Sequence, residues 1–145
     1  MYGFGYNVAT KDYEIIRIAT VYRTNGAYYC TRSCIYSLRY DRWRRIKSLN
    51  YEVPNGQKGV LVNGSLHWMV STQCSTARTA SYNTLIAFDF TTEKFREVRR
   101  EDYDLDGLVS TNLAALDEKL CTVNNYHTHA RLWVMKEYGV MDHNG

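Results

Sequence analysis

A chain of 145 residues that is 45% hydrophobic and carries 13 tyrosines can bury one core, which excludes global disorder and points to a single domain or a piece of a larger one. The 18 Lys and Arg against 15 Asp and Glu leave a net charge of only +3, spread along the chain, which argues against a basic nucleic-acid tail. No apolar run approaches the roughly 20 residues that cross a bilayer, and Met1-Tyr2-Gly3-Phe4 opens into patterned sequence rather than a charged-then-apolar leader. No pair among Cys30, Cys34, Cys74 and Cys121 stands at CxxC spacing, so reduced thiols in a cytoplasmic and/or nuclear protein are expected, without a zinc framework.

Helical periodicity is scarce. Short runs of Val, Ile, Tyr, Phe and Trp between polar punctuation predict an all-β chain of successive strands. Asn7 to Asp12 reads as a turn, and Tyr13 to Tyr22 (YEIIRIATVY) as a strand with apolar residues on both alternating faces, expected to be buried on both sides. Cys34 to Leu38 and Trp43 to Ile46, joined by Arg39 to Arg42, predict a hairpin. Gly59 to Val62 and Ser65 to Val70 predict a second, closed by Asn63-Gly64, a dipeptide that tolerates the positive φ angles of a type I′ turn. The sequon Asn63-Gly64-Ser65 is therefore read as a turn rather than a glycosylation site. Leu85 to Phe90, Thr91 to Lys94 and Phe95 to Val98 predict a third hairpin.

An internal repeat links these hairpins. Tyr36-Ser37-Leu38 lies over Phe88-Asp89-Phe90 at an offset of 52 residues, which also places Trp43 over Phe95 and Ile46 over Val98. Leu61 to Leu66 lies over Ala115 to Leu120 at an offset of 54, and Leu132 to Met135 takes the place of Leu85 to Phe90. A unit of about 50 residues with four strands is the period of kelch-type propeller blades. The prediction is a partial kelch-like β-propeller of about three blades of antiparallel strands, in which the last strand, Leu132 to Met135, lacks a partner hairpin and leaves an open edge.

The segments Gly3-Phe4-Gly5-Tyr6, Lys11 to Ile18, Tyr36-Ser37-Leu38, Trp43-Arg44, Asn63 to Trp68, Ile86 to Phe90, Lys94 to Val98 and Leu132 to Val140 together resemble, in order, the F-box-associated interaction domain of plant F-box and kelch-repeat proteins. The similarity spans nearly all of residues 1–145. In that family an F-box docks on the Skp adaptor of a cullin-based ubiquitin ligase, and the propeller-like domain captures the protein to be ubiquitinated. The F-box itself is absent from this sequence. The resemblance therefore implies a noncatalytic fragment that supplies the substrate-receptor half, with adaptor and cullin reached only through an F-box elsewhere.

Trp43, Trp68, Phe88, Phe90, Phe95 and Trp133 are expected to fill the space between stacked blades, and His67 to be a structural hydrogen-bond former. His127 and His129 read as a hairpin turn, without further ligands for a metal. Cys30 and Cys34, about 13 Å apart along a strand, are too far apart to chelate one ion. Asp102, Asp104 and Asp106 alternate like a calcium loop, but its twelfth position is Leu113, not glutamate. No nucleophile elbow, phosphate loop, HExxH helix or paired-carboxylate arrangement is present, so no catalytic residue and no cofactor is assigned. The hairpin from Arg39 to Lys47, where arginines alternate with Tyr40 and Trp43, offers an alternative nucleic-acid surface. Function on a propeller is expected in the rim loops. The candidate protein-contact residues are Arg42, Tyr51 and, in the polar connection Ser71 to Asn83, Arg78 and Tyr82, types enriched at binding hot spots. A truncated, nonfunctional fragment is the remaining alternative.

Overall fold

Five turns set the register of the strand pairs they join. At Asn63 and Gly64 the backbone takes φ of 52° and 73°, the type I′ geometry whose twist matches that of paired strands, and it brings Val62 opposite Ser65. The offset of 54 repeats it in the backbone: Asp117 and Glu118 are also left-handed, at 50° and 60°, and bring Leu116 opposite Lys119. A four-residue turn recurs three times, closing Asn7 on Asp12, Ser37 on Arg42 and Asp89 on Lys94. In each, the residue before the second strand is left-handed: Lys11, Asp41 and Glu93. In each, the opening side chain caps the turn. Asn7 Oδ1 accepts the Ala9 and Thr10 amides, Asp89 Oδ1 those of Thr91 and Thr92, and Ser37 Oγ that of Tyr40.

The computed structural model describes residues 1–54, 56–71, 84–100, 106–137 and 140–143, all of them strand, turn or irregular backbone. The strands are β1 (Tyr2–Asn7), β2 (Asp12–Tyr22), β3 (Tyr28–Ser37), β4 (Arg42–Leu49), β5 (Val60–Val62), β6 (Ser65–Val70), β7 (Thr84–Asp89), β8 (Lys94–Glu97), β9 (Leu108–Leu116), β10 (Lys119–Tyr126), β11 (Ala130–Glu137) and β12 (Val140–His143). They form three four-stranded antiparallel meanders, β1 to β4, β5 to β8 and β9 to β12, the blade arrangement the repeat predicted. The repeat also holds in register, with Tyr36 opposite Trp43 where Phe88 is opposite Phe95. The expectation of an unpartnered last strand is corrected, because β12 pairs with β11 through Trp133 opposite His143 and Val134 opposite Asp142.

Two cores separate the three sheets. Ile16, Ile18 and Ile35 of the first sheet meet Leu66, Trp68, Ile86 and Phe88 of the second. The opposite face of the second sheet sends Met69, Leu85 and Ala87 against Leu120, Trp133 and Met135 of the third. Every residue of β6 is therefore buried, as expected of a strand covered on both faces. β2 is not. Its Ile16 and Ile18 are buried, but Tyr13 and Arg17 on the alternate face are exposed, so burial on both sides is corrected to one. Trp43 shares that open face and is 52% exposed, whereas Trp68, Phe88, Phe90 and Trp133 are buried and Phe95 half-buried, as expected.

Glycines allow the first two sheets to approach. A Cβ on Gly3 would lie 2.2 Å from Leu66 Cδ1, and one on Gly5 2.0 Å from Phe90 Cε2. Polar ties flank the apolar seam. Arg44, 44% exposed in its side chain, donates to the buried Glu14 carboxylate at 3.1 Å and forks onto Glu93 of the second sheet. Burial nonetheless holds the Glu14 carboxyl above its ordinary value, aided by the nearby Glu93 charge.

His67, fully buried, bonds the Val60 carbonyl through Nδ1 at 3.0 Å, the structural role expected of it. Burial keeps its imidazole below the ordinary value. As pH falls below about 6.5, the unfolded chain takes up this proton before the folded one does. Stability is therefore expected to decline from pH 7.5 to 5.5, and His67→Gln to flatten that decline in urea titrations at the two pH values. Glu14, raised, acts in the opposite sense at lower pH. An unchanged pH dependence in the variant would remove His67 as its source.

Candidate interaction surfaces

In an up-and-down sheet, successive turns alternate between its two ends. The short turns after β1, β3, β5, β7 and β9 thus lie on one rim, and the connections after β2, β4, β6, β8 and β10 on the other. A parallel bridge of Tyr2 to Lys58, just before β5, gives the first two sheets the same direction. The Asn63 turn and Glu118 line one hollow, which sets the third alike.

The second rim gathers the aromatic and polar side chains suited to contact. Tyr51 follows β4, packs its ring on the first core and donates from its hydroxyl to Glu97 of the second sheet at 2.6 Å. Burial, then the Glu97 bond and charge, push its phenol up to about 12. A neutral, firmly held tyrosine results, and its backbone carbonyl also accepts from Thr31. Next to it, Glu52 pairs with Ser71 through reciprocal amide bonds of 2.8 and 2.9 Å. Tyr51 therefore stands where the Ser71 to Asn83 connection begins. Tyr22 donates to Glu52, and Arg23 lies 5.0 Å over the exposed Tyr29 ring. Between β4 and β8 a groove of about 500 Å³ opens beside Tyr51, with Lys47, Asn50 and Lys94 exposed along it. Tyr51, Asn50 and Arg96 line this groove, and with Tyr22, Arg23 and Tyr29 of the β2–β3 end they are residue types found at protein-contact surfaces.

Arg78 and Tyr82 lie outside the described residues. Arg42 is the first residue of β4 rather than part of a connection, on the opposite rim from Tyr51. Seven strand steps from Arg42 to Leu49 span about 23 Å, so the structure does not bring Arg42 and Tyr51 together. The rim around Tyr22, Arg23 and Tyr29 was missed by sequence reasoning, although the Arg23-to-Ala27 turn, closed by an Arg23 amide to Ala27 carbonyl bond of 2.7 Å, carries a legible Asn25-Gly26 signal.

The basic run on β4 is divided by strand alternation. Arg44 turns toward the second sheet and its carboxylates, while Arg45 and Trp43 occupy the other face. Arg39 donates to the Thr10 carbonyl at 3.2 Å and lies over the Tyr40 ring. The run is thus not one continuous cationic patch. His127 and His129 occupy the turn after β10, closed by a Tyr126 amide to His129 carbonyl bond of 2.8 Å, with the His129 ring stacked 4.7 Å from Tyr126. Among the described residues no three His, Cys, Asp or Glu side chains gather as a metal site. The sulfurs of Cys30, Cys34 and Cys121 are free thiols.

The family model of the F-box associated beta propeller domain matches residues 1–142. Among Arabidopsis thaliana proteins, the chain is similar to F-box protein CPR1, 27% identical over 97% of this chain and 38% of the relative. It is similar also to F-box protein At3g07870, 28% identical over 98% and 38%, and to F-box/kelch-repeat protein At3g23880, 29% identical over 95% and 36%. The chain thus spans less than two-fifths of the length of these relatives.

Proposed function

The chain belongs to the F-box associated β-propeller domain family, and from that membership we propose that it is a noncatalytic protein-binding module, the substrate-recognition part of an F-box receptor in an SCF-type ubiquitin ligase. The match over residues 1–142 carries this reading. The rim around Tyr51, Tyr22 and Arg23 supports it with side chains of the kind that anchor protein partners. The partner is a protein destined for ubiquitination, and the Skp-type adaptor and cullin are reached through an F-box. Arg78 and Tyr82 extend the proposed contact surface through their connection, and Arg42 is a weaker candidate on the other rim.

The test purifies proteins with the chain from plant cells, using wild type and an Arg23→Ala/Asn50→Ala variant of two exposed rim residues. Proteins retained by the wild type and lost with the variant are expected to gain ubiquitin, and to have a half-life at least twofold shorter, when the chain is joined to an F-box. A bound partner whose ubiquitination and half-life do not change would overturn the receptor reading. Retention unaffected by the variant would displace the rim.

A further inference from the structure

The first two sheets each finish on an edge strand, β4 in the order β1-β2-β3-β4 and β8 in the order β5-β6-β7-β8. Stacked sheets cover each other's faces rather than their edges, so such a strand keeps a ladder that is paired on one side only. Among the described residues β4 pairs only with β3, and β8 only with β7. Two polar ties cross between the edges, from Arg44 to Glu93 at 2.8 Å and from Tyr51 to Glu97 at 2.6 Å. Beside them lies the groove of about 500 Å³, whose lining joins Lys47, Asn50 and Tyr51 to Lys94 and Phe95.

The hydrogen-bond phase of β8 shows which backbone groups this edge offers. The Val98 amide donates to the Leu85 carbonyl at 2.9 Å, and bonded and non-bonded pairs alternate along an antiparallel ladder. Arg96 opposite Ala87 and Lys94 opposite Asp89 therefore turn their amides and carbonyls into the sheet. Phe95 and Glu97, opposite Phe88 and Ile86, turn theirs outward. Side chains alternate as well. Phe95 and Glu97 share the face of Phe88 and Ile86, toward the first sheet, and Lys94 and Arg96 share the other.

Charge selects what can pair there. Glu93 is engaged by Arg44 and Glu97 by Tyr51, whereas Lys47 and Lys94 are exposed and in no ion pair among the described residues. The same edge of a second copy would set like charges opposite Lys94 and Arg96, which opposes pairing; an acidic strand would set opposite ones.

We propose that β8 receives an extended acidic segment of the captured protein as a fifth strand of the second sheet, with acidic side chains beside Lys94 and Arg96 alternating with apolar ones beside Phe95. This inference rests on the receptor reading and adds to it the shape and charge of what is bound. Main-chain bonds to Phe95 and Glu97 supply affinity, and the alternate side chains supply selection. The four residues of β8 span about 13 Å, which a segment of about four to six residues covers.

The 145-residue chain is titrated into two fluorescein-labelled, end-blocked heptapeptides, one alternating glutamate with valine and the other lysine with valine, and fluorescence anisotropy is followed. The glutamate peptide is expected to bind and the lysine peptide not. Lys47→Glu and Lys94→Glu, both at exposed positions, are each expected to weaken binding about tenfold, with the circular dichroism of the wild type retained. N-methylation of alternate amides in the glutamate peptide leaves the chain itself untouched. It is expected to abolish binding in one register and spare it in the other, because an edge bonds only one side of an added strand. No binding of the glutamate peptide up to about 1 mM, equal binding of both peptides, or methylation with the same effect in both registers would overturn the proposal. So would an oligothymidylate that binds where the glutamate peptide does not. Ubiquitinated partners without peptide binding would overturn the added strand and leave the receptor reading standing. Peptide bound in one register, by a chain whose retained proteins gain no ubiquitin, would uphold the added strand and remove the receptor reading alone.

Discussion

Phe88→Ala is expected to cost about 3–5 kcal/mol, the range for truncating a buried aromatic side chain and leaving its cavity behind. Phe88 is fully buried in β7, a central strand of the middle sheet. Its ring stands edge-on to Phe90 at 5.2 Å and tilted to Phe95 at 4.7 Å, so alanine removes two aromatic contacts together with the apolar transfer term. Neighbours from two sheets and the hydrogen-bonded ladder hold the walls apart, which limits collapse into the space. Against a typical domain stability of 5–15 kcal/mol, the loss is a large fraction. Urea unfolding followed by tryptophan fluorescence reads it directly. A loss below about 1 kcal/mol would mean that the first two sheets do not pack through this row.

Gly5→Ala is expected to be the most damaging single added methyl among the first-sheet glycines. The new Cβ would sit 2.0, 2.2 and 2.7 Å from three atoms of the Phe90 ring, and that ring is fully buried against Phe88. Gly5 is not among the residues with positive φ, so alanine can adopt its backbone and the cost is steric, about 1–3 kcal/mol as for other overpacked interiors. At Gly3 the clash is with the end of the flexible Leu66 side chain, which gives way at lower cost. Pairing Gly5→Ala with Phe90→Leu supplies the check. The two losses are expected to fall short of additive by about 1 kcal/mol or more, because the smaller side chain admits the methyl. Strict additivity would show that the ring does not confine Gly5.

Much of the fold was legible because turn chemistry is local. Asn63-Gly64 announces its hairpin, and the offsets of 52 and 54 place equivalent residues opposite equivalent partners. The strand β1 was not read from periodicity, since Gly3 and Gly5 interrupt the pattern; their place in a strand is explained by Leu66 and Phe90, which only the folded chain brings near. The first half of β3 was missed for a related reason. Thr31 and Ser33 are polar yet fully buried, and Thr31 is satisfied by the Tyr51 carbonyl. Tyr13 and Trp43 mark the limit of pattern reasoning about burial. An apolar strand face shows that something can be covered, not that another part of the same chain covers it.

For the candidate site, Tyr51 was legible as a residue type in a connection, whereas its clamp on Glu97 depends on two sheets meeting. Arg42 was misplaced because β4 begins one residue earlier than the apolar pattern suggested, at the residue opposite Ser37. The residues around Tyr22 and Arg23 are ordinary in sequence and acquire their setting from the end of β2 and its link to Glu52.

The capped turns with a left-handed residue before the next strand lie on one rim only. A backbone that must take positive φ at a set place tolerates few residue types and almost no change in length. On the opposite rim the described positive-φ positions, Gly26, Gly56 and Gly107, are glycines set in longer connections, where loop length costs little. The chain is therefore built asymmetrically with respect to change. One end keeps the strands in register, and the other can be rewritten with new loops, and hence new specificities, without disturbing the sheets that carry it.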